Sequence, residues 1–399
     1  MSHSTGHSPS GPALGCAPTN AFERAFDVTR RAKILLLAAS GPLNVKVLYC
    51  AYPIASEIHV LATSKDNLVR LSRHVRSFSV RPFWSEGTVD RRTLLFINEY
   101  IHDERIDVVV PGDMGASAFL AEVRSEVVGA VCFACSGRDR LNAMHNKWEF
   151  ARALERAQVA SPKTRLIEKA DDAARISSPS TAFPAMVKPL ECESGHGVVR
   201  MNGLDELRAH VESNAPYSQP PLILQEFIPG KDIDLSVLAV GGRVVASAVQ
   251  RWPDSGMLEF CEHPEVEELG RNVVSLFNYD GVAHFDMRTD ERTGRVLVLE
   301  CNPRFWYTMP AAMWRGLNFV EVGIRIAMGL PESSVPRSSG TYLLPGAVVG
   351  ALASPKRLRR MDQKNLKGFL QPLMDPLPHA VSLGEKWVRS LRSVLRKST

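Results

Sequence analysis

The residues best suited to chemistry lie in two short apolar stretches joined by a polar turn. In VAHFDM, His284 and Asp286 are two positions apart, and across the turn RTDERTGR, Glu300 and Asn302 are again two apart in VLVLECNP. Side chains alternate along a strand, so in a hairpin these four share one sheet face. Two carboxylates and an amide oxygen on that face form the kind of hard-oxygen set that Mg2+ takes up together with water and phosphate. The plainer alternative is the exposed polar face of an ordinary hairpin. Pro303, which ends the strand, and Arg304, which sets a cation just beyond the acids, favour the metal reading.

Two lysines stand upstream. Lys188 closes the apolar stretch AMVKP, and Lys147 opens a helical pattern in HNKWEF. A lysine in a core strand either keeps an anionic partner or snorkels from the sheet edge, while a lysine at a helix start is commonly just solvated. After Lys188, ECESGHGV sets Gly195 and Gly197 around His196, a turn whose backbone amides can approach a phosphate; a plain flexible loop has the same composition. The sequence contains no Walker loop, and a dinucleotide GxGxxG fails because Arg200 stands where its third glycine belongs.

Strands and helices must bring these residues together. KILLLAAS, EIHVLAT and IDVVVPGD read as buried strands, each followed by a helix-compatible segment. That order predicts a parallel sheet with helices on both faces, an α/β Rossmann-like domain over residues 31–137. From Asn142 to Ala157 the pattern predicts one helix, followed by the AMVKP strand, the glycine turn and a helix over LDELRAHVES. Leu222 to Ile228 reads as a strand, and LSVLAV with VVASAVQ as a hairpin across Gly241-Gly242. A helix from Glu265 to Leu276, with Pro264 in its first turn, leads to the acidic hairpin, and MPAAMWRGLNFVEVGIRIAMG closes as helix. Hairpins alternating with helices make residues 138–335 an α+β region, followed by a basic extension over 336–399. Residues 1–30 carry no periodic apolar pattern and, rich in Ser, Gly, Pro and His as far as Asn20, are predicted to be disordered.

A chain of 399 residues, 45% apolar and 23% charged, can bury two or three ordinary cores. No apolar run approaches the roughly 20 residues of a membrane span, and the start lacks a basic-then-apolar secretory pattern, so a cytoplasmic location is expected. The seven cysteines are scattered and odd in number, as reduced thiols would be. Cys132 and Cys135 form a CxxC with no second pair, which fits buried strand-end thiols better than zinc. The net charge of +5 is local: residues 355–399 hold eleven Lys/Arg against three Asp/Glu, leaving the rest slightly acidic. A nucleic-acid partner is therefore not expected.

Taken together, HNK at Lys147, VKP at Lys188, the glycine turn, QEFIPGKDID, FDMR and LECNPR occur in an order and spacing that resembles the ATP-grasp superfamily over about Leu141 to Gly329. NPRF is similar to the carbamoyl-phosphate-synthetase branch. The resemblance implies a two-lobed ATP-grasp domain behind a Rossmann-like one, ATP and Mg2+ (or Mn2+) as cofactors, and activation of a carboxylate as an acyl phosphate for attack by an amine or thiol. It also implies that Lys147 and Lys188 contact ATP phosphates and that the loop of Glu193, Ser194, Gly195, His196 and Gly197 covers them. Glu226, Phe227 and Ile228 would meet adenine, Gln225 its exocyclic amine, and Asp232 the ribose. Asp286, Glu300 and Asn302 would hold the metal, and Arg304 with His284 would serve catalysis. His284 stands where relatives often carry a basic residue, and a histidine holds its charge only part of the time near neutrality. Carbamoyl-phosphate-like synthesis and a silent nucleotide-binding scaffold are the alternatives. The expected partners are a small carboxylate and an amine or thiol, with a homodimer compatible.

In the extension, Trp387, Val388, Leu391, Val394 and Leu395 fall at helical spacing among cations. A terminal helix packed on its own body is weighed above a membrane contact. Because residues 355–399 include none of the residues placed around ATP, a catalytic body ending near Gly350 is expected to keep nucleotide binding, and insolubility of that body would mark the terminal helix as structural.

Overall fold

A computed structural model describes residues 31–39, 41–176, 183–192, 195–213, 215–254, 256–330, 335–344 and 362–384. The expectations for residues 1–30, Glu193, Ser194 and the Trp387 to Leu395 pattern fall outside these residues.

Near-continuous aliphatic runs suit strands buried on both faces. Ala32–Ala38 and Val108–Pro111 are such runs, and with Ala55–Ala62, Ser77–Val80 and Val131–Cys132 they form a five-stranded parallel sheet. The Ala32–Ala38 strand lies at its centre, between Ala55–Ala62 and Val108–Pro111. Alternate side chains enter two separate cores: Leu36, Val60 and Val110 on one face, Leu35, Leu61 and Val109 on the other. At the strand ends, Asp113 caps the helix Met114–Val123 by accepting from Ala116 N, while Asn44 Nδ2 donates to its other oxygen at 2.9 Å. Burial pushes the Cys132 thiol up to about 11 and that of Cys135 to about 12, in keeping with unreactive strand-end cysteines.

Two antiparallel sheets follow. The smaller has the spatial order Val199–Met201, Ala185–Pro189, Leu222–Glu226, Thr164–Ile167, over a core that includes Val187, Leu207 and Leu224. The larger has six strands in the order Val296–Asn302, Gly281–Asp290, Gly230–Val240, Arg243–Asp254, Met257–Cys261 and Gly340–Leu343. The last of these strands lies in the segment that the sequence pattern left to the extension. A parallel-sheet domain followed by antiparallel sheets with helices is the fold class that the sequence predicts.

Two expected helices are each divided. In place of one helix from Asn142 to Ala157 there are Arg138–His145 and Lys147–Arg156, because Asn146 is extended and its side chain accepts from Trp148 N and Glu149 N. An asparagine competes well for a helix N-cap, and here the cap outweighs the apolar period running through it. The closing helix divides into Met309–Arg315 and Phe319–Ala327 at Gly316. Gly316 has φ +128, and a Cβ there would lie 2.9 Å from the Arg337 carbonyl oxygen, so no other residue suits the turn.

The extension is built into the body. In the helix Gln363–Met374, Asn365 and Gly368 are buried, and Asn365 Nδ2 donates to the Leu343 carbonyl at 3.2 Å. Arg315 bonds Asp362 at 2.6 Å and Asn365 Oδ1 at 2.7 Å. Beyond the helix, the buried Asp375 carboxylate accepts from Tyr49 Oη (3.0 Å), Ser72 Oγ (2.5 Å) and Arg73 N (3.1 Å), all in the parallel-sheet domain. A chain cut near Gly350 therefore loses these interior contacts. Asp375→Ala leaves three donors without that acceptor, at an expected cost of about 2–3 kcal/mol. Urea denaturation of the full chain should show an earlier transition, and an unshifted one would mean that the extension does not brace the fold.

Candidate active site

Register of the large sheet fixes the site. Asp234 pairs with Asp286 on one side and Gln250 on the other, and Asp286 pairs with Glu300, so three acids from three strands lie in one lateral row. The next row holds Ser236, His284 and Asn302, and on the other side of the acidic row Asp232 stands opposite Arg288. Opposed residues in an antiparallel ladder share a face, so all of these side chains point the same way. Between Asp286 and Met287 the register slips, leaving Leu299 as an extra residue on its strand. A bulge re-aims side chains locally, and Leu299 and Glu300, though consecutive, both line the cleft.

The cleft measures about 450 Å3 and is walled by Lys188, Asp232, Asp234, Trp252, Arg304 and Tyr307 among others. Lys188 comes from the small sheet and reaches Glu300 at 3.4 Å; Lys147, the first residue of its helix, lies 3.9 Å from the same carboxylate and donates to the Cys192 carbonyl at 2.8 Å. The helix break at Asn146 thus aims Lys147 inward, and both lysines are buried. Burial alone would raise the Glu300 carboxyl, but Lys188 and Lys147 hold it below its ordinary value. Asp286 is pushed upward, first by burial and then by Glu300 and Asp234. Asp234 is likewise raised by burial, partly offset by Gln250 Nε2 and Trp252 Nε1, each donating to it at 3.3 Å.

Crowded carboxylates that resist joint ionisation are a setting for a divalent cation, and Asp286, Glu300 and Asn302 supply hard oxygens. The donor set fits Mg2+. The Asn302 amide oxygen also accepts from Arg304 Nη2 at 3.1 Å, and the buried Arg304 donates further to the Phe305 carbonyl. Asp234, His284 and Asp286 have potential ligand atoms within 4.8 Å of one another. His284 lies flat against Trp306 (5.6 Å between centroids, 11° apart), and its Nδ1 meets Ser236 Oγ at 2.9 Å. Burial first, and then the Arg304 charge, press its pKa down to about 3, so the imidazole is neutral at physiological pH. This corrects the expectation of partial charge at that position.

The remaining expected residues are spread more widely. Gly197 has φ +72, and a Cβ there would come within 2.5 Å of Tyr217 Cβ, so the close turn after Lys188 requires glycine; His196 stacks on Tyr217. Gly195 lines the cleft. Asp232 is paired with Arg288 at 3.4 Å, and Phe227 lies under the Arg200 guanidinium at 4.4 Å. Glu226 is tied to Arg292 at 3.1 Å and, with Ile228, lines a neighbouring cleft of about 370 Å3. Gln225 is buried with its amide directed between the sheets, donating to Thr164 Oγ1 at 3.2 Å and to the Leu299 carbonyl at 3.4 Å, and it does not line the main cleft. Sequence reasoning missed Asp234, Gln250, Trp252 and Thr308, whose Oγ1 donates to Gln250 Oε1 at 3.1 Å. Asp234 carried a signal, standing two positions after Asp232 and hence on its face of the same strand.

Residues 218–343 match the sequence profile of a family described as ATP-grasp in the biosynthetic pathway with Ter operon, and residues 144–259 match that of a RimK-like ATP-grasp domain. The chain is 21% identical over 330 residues to the carbamoyl phosphate synthase large chain of Pseudothermotoga lettingae, covering 76% of this chain and 30% of the relative. It is 22% identical over 215 residues to the multifunctional protein pyr-3 of Neurospora crassa, covering 50% of this chain and 12% of that one. It therefore spans less than a third of the length of either. Among solved structures, an L-amino acid ligase from Bacillus licheniformis superposes with a TM-score of 0.58 at 16% identity, covering 76% of each chain. An ADP complex of purK, an N5-carboxyaminoimidazole ribonucleotide synthetase, superposes with a TM-score of 0.60 at 15% identity, covering 82% of this chain and 86% of that one.

If Glu300 is the carboxylate on which metal and lysines converge, Glu300→Gln should weaken Mn2+ binding at least about tenfold while circular dichroism stays unchanged. Isothermal titration of the purified chain checks this, and equal affinity in the variant would remove Glu300 from the metal site.

Proposed function

We propose that this chain, which belongs to the ATP-grasp superfamily of ATP-dependent ligases, activates a small carboxylate as an acyl phosphate and joins it to an amine. The observation that carries this reading is the acidic row of Asp234, Asp286 and Glu300 facing two buried lysines, with Arg304 at its far edge. Phosphoryl transfer asks a protein mainly for positioning and charge stabilisation, and this arrangement offers both.

Lys147 and Lys188 lean on Glu300, and both would turn to the phosphates of ATP as that carboxylate takes up the metal. Asp286, Glu300 and Asn302 would hold Mg2+, which when bound neutralises phosphate charge. Arg304 would hold the substrate carboxylate, whose oxygen attacks the γ-phosphorus as the bond to ADP breaks. The amine nitrogen then attacks the acyl carbon, the carbon–oxygen bond to phosphate breaks with its electron pair leaving on phosphate, and the nitrogen loses a proton. Asp234 is placed to receive the amine. Gln250 and Trp252 fix its carboxylate, and burial lifts its proton affinity toward that of a useful base. The neutral His284 offers a hydrogen bond without adding charge that would repel an amine.

The likeness to carbamoyl phosphate synthase large chains favours one further reading, in which bicarbonate is the acid activated. Phosphate release from ATP, scored across amino acids, small carboxylates and bicarbonate, distinguishes the two. Release stimulated by an amino acid or small carboxylate with an amine supports ligation; release driven by bicarbonate alone supports the second reading, and none with any acid would end both.

Asp234→Asn keeps the hydrogen-bonding shape but removes the charge. Its KM for the amine should rise at least about tenfold while that for ATP stays within about twofold. Equal changes in both would make Asp234 part of the nucleotide site instead.

A further inference from the structure

The extension has a second face that the body leaves uncovered. Helical residues 363–374 and 376–384 turn Asn365, Gly368 and Asp375 inward. Outward they present Leu366, Leu370, Leu373, Met374, Leu377, Val381 and Leu383, each between 38% and 65% exposed. Seven of the sixteen large apolar side chains exposed among the described residues are thus gathered into this one segment. Within the first helix Leu366, Leu370 and Leu373 follow steps of four and three, the repeat of one helix face, and after the break at Asp375 Leu377 and Val381 are again four apart. A concentration of that kind marks an interaction surface rather than ordinary scatter.

Charge identifies the occupant. Lys356, Arg357, Arg359 and Arg360 precede the stripe in sequence, and Lys386, Arg389, Arg392, Arg396 and Lys397 follow it. Lys364 and Lys367 are exposed within it, while one of the three acids of residues 355–399, Asp375, is buried against the parallel-sheet domain. A second copy of the chain would bring a like excess of eight positive charges against the first, so pairing through this face is opposed. An apolar stripe flanked by cations is instead what an anionic bilayer receives, with leucines at the acyl boundary and Lys/Arg at the headgroups. Among the described residues no helix is long and apolar enough to cross a membrane, so the contact would be peripheral.

We propose that residues 362–384 form a surface that docks this protein on anionic phospholipid bilayers, held through its inner face and bound through its outer one. Full-length protein should co-sediment with phosphatidylcholine vesicles containing phosphatidylserine at low salt. Binding should fall at least about tenfold at high salt, because exposed charges are screened over about 8 Å at physiological ionic strength, and be weak on phosphatidylcholine alone. Leu373→Ser with Leu377→Ser changes only outward side chains; it should keep the melting temperature and reduce binding at least about tenfold. Four outcomes overturn the proposal. One is no binding to phosphatidylserine vesicles at low salt. Another is undiminished binding by the double variant, which would leave the cations alone responsible. The third is a dimer in sedimentation velocity that the double variant dissolves, which would assign the stripe to a second copy. Vesicle binding seen only after deletion of residues 385–399 would likewise assign it to that segment.

Discussion

The site depends on the pairing register of three neighbouring strands. Had Gly281–Asp290 been displaced by one residue against Gly230–Val240, Asp286 and His284 would have turned to the apolar side that holds Phe285 and Met287, and a charged row would have replaced a packed one. The apolar set therefore enforces the polar set. Ala283, Phe285 and Met287 are fully buried, as are Leu235 and Val237 opposite them, and the cost of exposing them fixes where the acids stand. Binding chemistry here is a by-product of core packing on the reverse face of the same strands.

The same logic explains what could be read from the sequence. The acidic hairpin was legible because alternation with a period of two is local, and the turn between its strands is short. Three of the five parallel strands were legible for a similar reason, being short and largely apolar, whereas Ser77–Val80 and Val131–Cys132 carry too short or too polar a pattern. Asp234 was hidden because its partners, Gln250, Trp252 and Asp286, reach it through sheet pairing that no local pattern specifies. The helix break at Asn146 was hidden because an N-cap and a continuing amphipathic period make opposite demands on the same residues, and the apolar period was given precedence. The extension read as a basic terminal helix packed on the body, with its apolar pattern placed at Trp387 to Leu395 rather than at residues 362–384. What binds it inward is a few scattered polar residues, among them Asp362, Asn365 and Asp375, which carry little weight in a sequence dominated there by leucine and arginine.

The two antiparallel sheets are joined across the cleft by few interactions. Lys188 and Lys147 meet Glu300, Gln225 reaches the Leu299 carbonyl on the adjacent residue, and Glu226 pairs with Arg292 in the turn beyond Asp290. The first two are electrostatic and exchangeable for another anion; the third is a neutral hydrogen bond at the bulge and has no such competitor. The small sheet has its own core, separate from those beneath the large one. Its attachment can therefore loosen at the lysines while Gln225 keeps a pivot, a division of labour suited to a lobe that must open for a nucleotide and close again.

The chain of hydrogen bonds from Thr308 to Gln250 to Asp234 has a further consequence. Thr308 and Tyr307 sit on the rim shared by the main cleft and a small cavity of about 50 Å3 whose opposite wall includes Gln371, Pro372 and His379. A side-chain amide has one orientation that satisfies both neighbours: its oxygen toward the hydroxyl and its nitrogen toward the acid. Gln250 consequently behaves as a polarity relay. Because its oxygen is spent on Thr308 and its nitrogen on Asp234, the donor that steadies the acid in the cleft is itself oriented from the rim.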